Sequence, residues 1–318
     1  MDGYKPVDPR EFARFSGIKT FMRLPRIKTT EGVDIAIVGV PFDTGASYRV
    51  GARFGPETIR SVSALLRHHN EVLDVSIFDY CSVVDYGDLP VNPGYIEDSY
   101  QMIEEGLLPI LEAGVTPILL GGDHSVTLPH LRAMAKIHGP VALIHFDAHT
   151  DTGDKRLGRE YWHGSPFRRA VEEKLILVDH SIQLGMRGSI YSRDSLNDSR
   201  KLGFDLVTSV EAQEIGIDGL IQRIRDRVRD VKAFVTFDID FVDPAYAPGT
   251  GTPEVGGFTS REALRFVRGM KGLNLIGFDI VEILPQYDPA QITALLAANI
   301  VYEFISLIAL RKKVISEG

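Results

Sequence analysis

The feature that most constrains this chain is a series of short, uninterrupted apolar runs spread along its whole length. Such runs predict strands buried on both faces, as in parallel sheets, and the segments between them have helical spacing and helix-end signals. The runs that we interpret as strands are 33–40, 116–120, 141–146, 233–237 and 273–281. The segments that we interpret as helices are 56–66, 96–113, 125–136, 210–228, 260–269 and 288–309.

Alternating strands and helices predict an α/β fold, with a mostly parallel sheet covered by helices on both faces in three layers. A length of 318 residues would allow one large domain or two small ones. Because no linker, repeat or low-complexity segment divides the sequence, we expect a single domain over residues 1–318. Residues 1–30 are expected to pack on it as an N-terminal extension.

Composition narrows the classes of partner. The chain has 35 basic and 43 acidic residues, a net charge of −8, which argues against nucleic-acid binding. The only cysteine, Cys81, excludes an intrachain disulfide and favours a reducing compartment, so we expect a cytoplasmic protein. The N-terminus lacks the apolar core of a signal peptide, and no run looks long and apolar enough to span a membrane.

Polar segments follow three of the predicted strands. Ligands of open α/β sheets bind beyond the carboxyl ends of the strands, so these segments are the candidate site. The segments are GGDHS at 121–125, DAHTD at 147–151 and DID at 238–240. Because alternate residues of an extended chain face the same side, Asp147, His149 and Asp151 are expected to converge, as are Asp238 and Asp240.

Four carboxylates in a partly dry pocket raise one another's pKa, so we expect cations to compensate them. With His124 the set has four Asp and two His, which suits two divalent ions that share carboxylates. This oxygen-rich donor set favours Mn²⁺, with Ni²⁺, Co²⁺ or Zn²⁺ as alternatives. Each segment alone also has a simpler explanation, as a surface loop, a one-metal site or a strand-end cap, and only their joint occurrence favours a metal centre.

These segments resemble the three signatures of the ureohydrolases, the family of arginase and agmatinase. The third signature continues as TFDIDFVDP at 236–244 and APGTGTP at 247–253, and the resemblance extends from FMRLP at 21–25 and GARFGP at 51–56 to Glu282. It implies a three-layer α/β/α fold around an eight-stranded, mostly parallel sheet. It also implies two Mn²⁺ ions per chain and hydrolysis of a guanidino group to urea and an amine by a hydroxide bridging both ions.

The resemblance also assigns roles to residues. The implied metal ligands are His124, Asp147, His149, Asp151, Asp238 and Asp240, the same set that the strand ends suggest. Asp151 would orient the attacking hydroxide, His163 would shuttle protons at the pocket mouth, and Glu282 would clamp the substrate guanidinium. Tyr161 and Trp162 would either wall the pocket or pack beside it. We expect His145, inside a buried strand, to point away from the metal ions.

The loop after Asp151, TGDKRLGREY at 152–161, bears on the substrate. It does not resemble the Asn- and Ser-bearing loop of arginases, which disfavours arginine. The surrounding segments are closer to agmatinases, guanidinobutyrases and guanidinopropionases. Lys155, Arg156 and Arg159 would pair with the carboxylate of a guanidino acid, whereas Asp154 and Glu160 would suit the amine of agmatine.

Two alternatives stay open. Deacetylase-like amidohydrolases share this architecture with a single zinc and a reduced ligand set, but the presence of His124, Asp151 and Asp240 points away from them. A non-catalytic assembly subunit of the same fold would be expected to have lost ligands, and all six are present. The resemblance further implies a homo-oligomer, either a trimer or a hexamer.

Overall fold

A parallel sheet forms the middle layer of the computed structural model, which describes residues 3–8, 10–192 and 194–317. The strands are β1 (Ile35–Gly39), β2 (His69–Asn70), β3 (Val75–Ser76), β4 (Val83–Asp88), β5 (Thr116–Leu120), β6 (Ala142–Phe146), β7 (Ile182–Met186), β8 (Asp205–Thr208), β9 (Ala233–Asp238) and β10 (Leu275–Val281). Within these described ranges, β2 and β3 form a short antiparallel pair. The other eight strands pair in parallel, in the order β4-β1-β5-β10-β9-β6-β7-β8.

Helices cover both faces of this sheet. The helices are α1 (Gly55–Ser63), α2 (Ile77–Tyr80), α3 (Ile96–Glu112), α4 (Thr127–His138), α5 (Pro166–Glu172), α6 (Ser195–Lys201), α7 (Ser209–Ile215), α8 (Ile217–Val228), α9 (Ser260–Gly269) and α10 (Ile292–Glu317). The first face packs against α1, α8, α9 and α10, and the second packs against α3, α4 and α5.

The sheet has helices on both faces because its central strands are apolar on both faces. In β1, Ile35 and Ile37 belong to the core on the α10 side, whereas Ala36 and Val38 belong to the core on the α3 side. All five residues of this strand are buried. The predicted three-layer α/β fold is confirmed.

The five predicted strands correspond to β1, β5, β6, β9 and β10, but β4, β7 and β8 were missed. Polar or flexible residues interrupt their apolar character: β4 contains Asp85 and β7 contains Gln183 and Gly185, while β8 has only four residues. The predicted helix over 210–228 is wrong in one respect. It is two helices, because Gly216 has a positive φ of 75° and ends α7.

The segment before β1 is held by specific contacts. Phe21 and Met22 are buried in the core on the α10 side. The amide of Phe21 donates to Asp85 Oδ2 at 2.8 Å, and the amide of Met22 donates to Ser63 Oγ at 2.7 Å. These bonds tie residues 21–22 to β4 and to the end of α1. The domain limits themselves stay a prediction.

Helix α10 corrects one statement made from the sequence. By length and composition it is apolar enough to cross a membrane, contrary to the expectation that no run qualifies. However, 72% of its most apolar 18-residue window is buried inside the fold, where the helix packs against α1, α9 and β10. A helix that is apolar on all sides is also what the core of a large soluble domain requires.

The strand order creates a crevice at the carboxyl ends of the central strands. β5 and β6 are consecutive in the chain, but β10 and β9 lie between them in the sheet. In open α/β sheets, ligands bind at such a switch in strand order. The segments that follow β5, β6, β9 and β10 therefore meet at one place.

Candidate active site

Two groups of nitrogen and oxygen atoms that could bind a cation, here called the donor groups, meet at the carboxyl ends of the central strands. In the first group, His124 Nδ1 lies 3.0 Å from Asp147 Oδ2, 2.9 Å from Asp151 Oδ2 and 3.2 Å from Asp238 Oδ2. In the second group, His149 Nδ1 lies 3.3 Å from Asp147 Oδ1 and 3.1 Å from Asp240 Oδ2. The structure thus brings all six predicted ligands together, with Asp147 common to both groups. Their role as ligands stays a prediction.

The backbone at these residues is not the extended chain assumed from the sequence. Asp151 has a φ of 47°, in the left-handed region that a residue with a side chain rarely adopts. After β9, residues Ile239–Phe241 form a 3-10 turn that Asp238 caps, with its Oδ1 accepting from the amide of Asp240 at 2.9 Å. Asp238 therefore caps this turn with one carboxylate oxygen and faces His124 with the other.

The buried carboxylates of the site repel one another, which raises the pKa of Asp238 and of Asp240. Burial, together with the charges of Asp240 and Asp147, raises the pKa of Asp238 well above its ordinary value. Burial and the charge of Asp147 likewise raise the pKa of Asp240 to about 6. Burial by itself would lower the pKa of His124, but the neighbouring carboxylates of Asp147, Asp151 and Asp238 raise it well above the usual range. The site therefore attracts positive charge.

The donor set fits divalent cations. Among the described residues, His124 Nδ1 and Asp240 Oδ2 are buried without a hydrogen-bond partner. Other atoms that could bind the same cation nevertheless lie about 3 Å from each of them. Ligands around an octahedral ion at about 2.1 Å are separated by roughly 3 Å, which matches these spacings. Carboxylate oxygens and imidazole nitrogens are suitable donors for such ions.

A second layer of polar side chains orients the first, and it corrects one expectation. His145 points toward the donor atoms: its Nε2 lies 2.8 Å from Asp147 Oδ2. The prediction that His145 points away was wrong, because His145 and Asp147 are two residues apart at the end of a strand and share a face. On the other side, Thr236 Oγ1 lies 2.9 Å from His124 Nε2.

His163 and Glu282 form a pair next to the donor groups. His163 Nδ1 lies 2.9 Å from Glu282 Oε1, which also accepts from the amide of His124 at 3.0 Å. The other ring nitrogen, Nε2, lies 2.6 Å from Ser47 Oγ. Burial opposes ionisation of His163, but the hydrogen bond and charge of Glu282 outweigh it and raise the pKa to about 9.

A cavity of about 700 Å³ opens beside these residues. Its lining includes Ser47 from the loop after β1, His149 and Asp151 from the donor groups, and His163. Glu282 is not part of its wall; it is 2% exposed and contacts His163 instead. The structure therefore does not place Glu282 directly on the cavity, as the proposed clamp for a guanidinium would require.

The loop after Asp151 is divided between the cavity and the surface. Trp162 and Arg156 line the cavity, with the guanidinium carbon of Arg156 5.4 Å from the centre of the Trp162 ring. The structure does not bring Tyr161 or Arg159 to the cavity. Tyr161 packs against the apolar core on the α3 side, with its ring edge to face with that of Tyr100 and the ring centres 5.4 Å apart. Arg159 is exposed to solvent.

Sequence reasoning missed Ser47 and Arg187. Ser47 lies in the loop after β1, whose Gly45 amide donates to Asp123 Oδ2 at 2.7 Å. Arg187 lines the cavity and donates to backbone carbonyls that include Asp240 at 2.5 Å and Glu254 at 2.9 Å. Both residues follow a strand of the sheet, and this position could have identified them as candidates. Arg187 follows β7, however, and the sequence analysis did not predict that strand.

A parallel sheet between two layers of helices, with aspartates and histidines clustered at the carboxyl ends of its strands, is typical of metal-dependent hydrolases of the α/β class. Comparison with known proteins makes this specific. A family model described as "Arginase family" matches residues 33–306. The chain belongs to the arginase family.

The chain is similar to relatives along nearly all of its length. It is 43% identical to a guanidinobutyrase of Pseudomonas aeruginosa, with 96% of this chain and 97% of that protein aligned. It is 45% identical to a mitochondrial agmatinase of Gallus gallus, over 95% and 89%. Among solved structures, proclavaminate amidino hydrolase of Streptomyces clavuligerus matches with a TM-score of 0.91 and 41% identity, over 94% of this chain and 99% of that one.

Proposed function

We propose that this protein is an amidinohydrolase that cleaves a linear guanidino acid, such as 4-guanidinobutyrate or 3-guanidinopropionate, to urea and an amine. The observation that carries the proposal is the pair of donor groups that share Asp147, next to a cavity lined by His163. Membership of the arginase family and relatives named guanidinobutyrase and agmatinase support it. Agmatine is the competing substrate.

Two divalent cations, preferentially Mn²⁺, would be held by His124, Asp147, Asp151 and Asp238 in one group and by His149, Asp147 and Asp240 in the other. Bound there, divalent cations supply Lewis acidity that lowers the pKa of water and so provides a nucleophile at neutral pH. Asp151 lies both in the first group and on the cavity wall, so its carboxylate is placed to accept a proton from the nucleophile.

The leaving amine needs a proton, and His163 is placed to give it. With a pKa of about 9, His163 carries a proton at neutral pH. Glu282 holds Nδ1 of the ring, so the proton available to the cavity is the one on Nε2, at the side where Ser47 lies. In this proposal Glu282 acts by orienting and charging His163.

Two arginines on the cavity wall support a substrate that carries a carboxylate, whereas Asp198 and Glu254 on the same wall would suit an amine. In the described part of the chain, Arg156 and Arg168 line the cavity and have no carboxylate within 4 Å. Asp154, which lies in the same loop as Arg156, is already paired with Arg169 at 2.7 Å. An unpaired guanidinium over an aromatic ring is a suitable partner for a carboxylate.

The substrate proposal is tested by initial rates of urea release with 4-guanidinobutyrate, 3-guanidinopropionate, agmatine and arginine. We expect kcat/KM to be highest for a guanidino acid. Arg156→Glu should lower it roughly tenfold for the acids and not for agmatine, because only the acids lose an ion pair. Arg159→Glu makes the same charge change outside the cavity and should have no effect. Preference for agmatine or arginine, or equal effects of both variants, would contradict the proposal.

The metal proposal is tested by Asp238→Asn, which keeps the volume of the side chain and removes its charge. Urea release should fall at least roughly 100-fold, because a donor of the first group is lost. The metal-free variant should nevertheless unfold at a higher temperature than the metal-free wild type at pH 8. The raised pKa of Asp238 means that its ionised form costs stability above its ordinary pKa.

Asp205→Asn is the matched control for this variant, since Asp205 pairs with Arg223 and lies outside both donor groups. It should retain urea release. Retained activity in Asp238→Asn itself would overturn the assignment of the site. A trimeric or hexameric assembly and a cytoplasmic location stay part of the proposal, and light scattering of the metal-loaded protein tests the first.

A further inference from the structure

A chain of buried hydrogen bonds lies behind Asp147. Asp147 Oδ2 is 2.8 Å from Nε2 of His145, and His145 Nδ1 is 3.0 Å from the side-chain amide nitrogen of Gln183, Nε2. The same amide nitrogen is 2.7 Å from the carbonyl oxygen of Thr150, and the amide oxygen accepts from Ser199 Oγ. The side chains of His145, Gln183 and Ser199 belong to residues with no exposed surface.

The carbonyl of Thr150 fixes the direction of this chain. A carbonyl oxygen only accepts hydrogen bonds, so the Gln183 atom that faces it must be the NH₂ group. That NH₂ group also faces Nδ1 of His145, so Nδ1 must present its lone pair. The hydroxyl of Ser199 is free to donate to the remaining amide oxygen. All partners are satisfied in one arrangement only.

The arrangement decides which nitrogen of His145 carries the hydrogen. Because Nδ1 accepts, the hydrogen of the neutral ring lies on Nε2 and is donated to Asp147 Oδ2. A nitrogen that carries a hydrogen has no lone pair for a cation. His145 is therefore not a metal ligand, although its ring lies with His124 and Asp147 in a group of potential ligands.

We propose that His145 is a positioning residue that orients Asp147 for metal binding, and that Gln183 sets the tautomer required for this. Asp147 is the carboxylate that the two donor groups share, with Oδ2 facing His124 and Oδ1 facing His149. Fixing its rotation therefore fixes both groups. Gln183 adds a second restraint, because its bond to Thr150 holds the segment that carries His149 and Asp151. The proposal rests on the metal site of the proposed function.

The test is Mn²⁺ binding measured by titration calorimetry, with the number of ions per chain and their dissociation constants as readouts. His145→Leu removes the donor and should weaken binding about 10- to 100-fold without changing the number of ions. His145→Gln places an amide NH₂ where Nε2 was and should restore binding to within a few fold. This rescue would not occur if His145 served only for packing.

Gln183→Glu tests the tautomer separately. A carboxylate of the same shape can only accept from Nδ1, so a hydrogen is drawn to Nδ1, and Asp147 then faces either a lone pair or a positively charged ring that competes with a cation. Binding should weaken as in His145→Leu. Ser199→Ala is the matched control, since it removes a hydroxyl from the other end of the same amide and leaves both donor bonds of Gln183 in place; it should bind Mn²⁺ like the wild type.

Several outcomes would overturn the inference. Loss of one ion per chain in His145→Gln would make His145 a ligand. Unchanged affinity in Gln183→Glu, or equal losses in Gln183→Glu and Ser199→Ala, would remove the tautomer argument. If His145→Leu does not fold, His145→Gln and Gln183→Glu still decide. A wild-type protein that binds two ions but releases no urea from any guanidino compound would refute the proposed reaction and leave this inference standing.

Discussion

At the scale of single residues, His163 has its two ring nitrogens committed to different partners. Nδ1 faces the buried carboxylate of Glu282, and Nε2 faces the hydroxyl of Ser47 on the cavity wall. The first contact keeps the ring charged, and the second lies where a proton can leave toward the cavity. A hydroxyl suits that second position because it can accept from the charged ring and donate to the neutral one.

This pair predicts the alkaline limit of activity. Glu282 raises the pKa of His163 to about 9 against the effect of burial, so the proton donor is lost as the pH rises through that value. Urea release should therefore fall above about pH 9. In Ser47→Ala the charged ring loses one hydrogen bond, so the fall should begin at lower pH and kcat should drop roughly tenfold, with a smaller change in KM.

The measurement is a pH profile of kcat and of kcat/KM for urea release. Ser195→Ala is a suitable control, since Ser195 lines the same cavity but bonds to Ser192. A Ser47→Ala enzyme whose pH profile coincides with that of the wild type would show that Ser47 does not support His163.

At the scale of elements, the site depends on the short segments that leave the strands rather than on the strands themselves. The segment after β5 turns immediately at Gly121 and Gly122 into the 3-10 turn that begins with His124. A Cβ at Gly122 would lie 1.7 Å from the carbonyl oxygen of Phe42, a backbone atom that cannot move away cheaply. The chain passes so closely here that only glycine fits.

Gly122→Ala should therefore destabilise the protein by roughly 2–4 kcal/mol and weaken Mn²⁺ binding, because it displaces the turn that carries His124. Gly219→Ala is the matched control. Gly219 lies in the first turn of α8, where a Cβ would lie 2.9 Å from Cγ2 of Ile215, an atom of an exposed side chain and not of the backbone, so alanine should cost much less stability there. Denaturant unfolding of both variants measures the two losses; equal losses would contradict the steric argument.

At the scale of the whole molecule, the donor groups join parts of the chain that are far apart in sequence. His124 follows β5, Asp147 follows β6 and Asp238 ends β9. In the sheet, β10 and β9 separate β5 from β6, so the groups connect both halves of the fold. Bound cations would therefore stabilise the fold as well as supply chemistry.

Chelation of bound metal should lower the unfolding temperature, and added Mn²⁺ should restore it. A free ion concentration 100 times the dissociation constant corresponds to about 2.7 kcal/mol per site, or a rise of several degrees. Thermal unfolding at increasing Mn²⁺ concentration measures this, with Asp238→Asn as the control that should respond less. An unfolding temperature that is independent of Mn²⁺ would contradict a metal centre at these residues.

The sequence alone determined the class of fold and the set of donor side chains. Buried parallel strands need continuous apolar runs, which are local features, so β1, β5, β6, β9 and β10 could be predicted directly. The ligand candidates could be predicted because they follow those runs immediately. His145 was within reach of the same reasoning, since alternation from Asp147 back by two residues places it on the same face.

Only the tertiary structure decided which neighbours these side chains have. Ser47 meets His163 across 116 residues, and the Gln183 amide meets His145 across 38, separations at which no local pattern carries information. The same loop sends Arg156 to the cavity and Arg159 to the surface. Spacing fixes the face of a residue only within a regular element, and these contacts arise in turns whose direction is set by packing against the rest of the molecule.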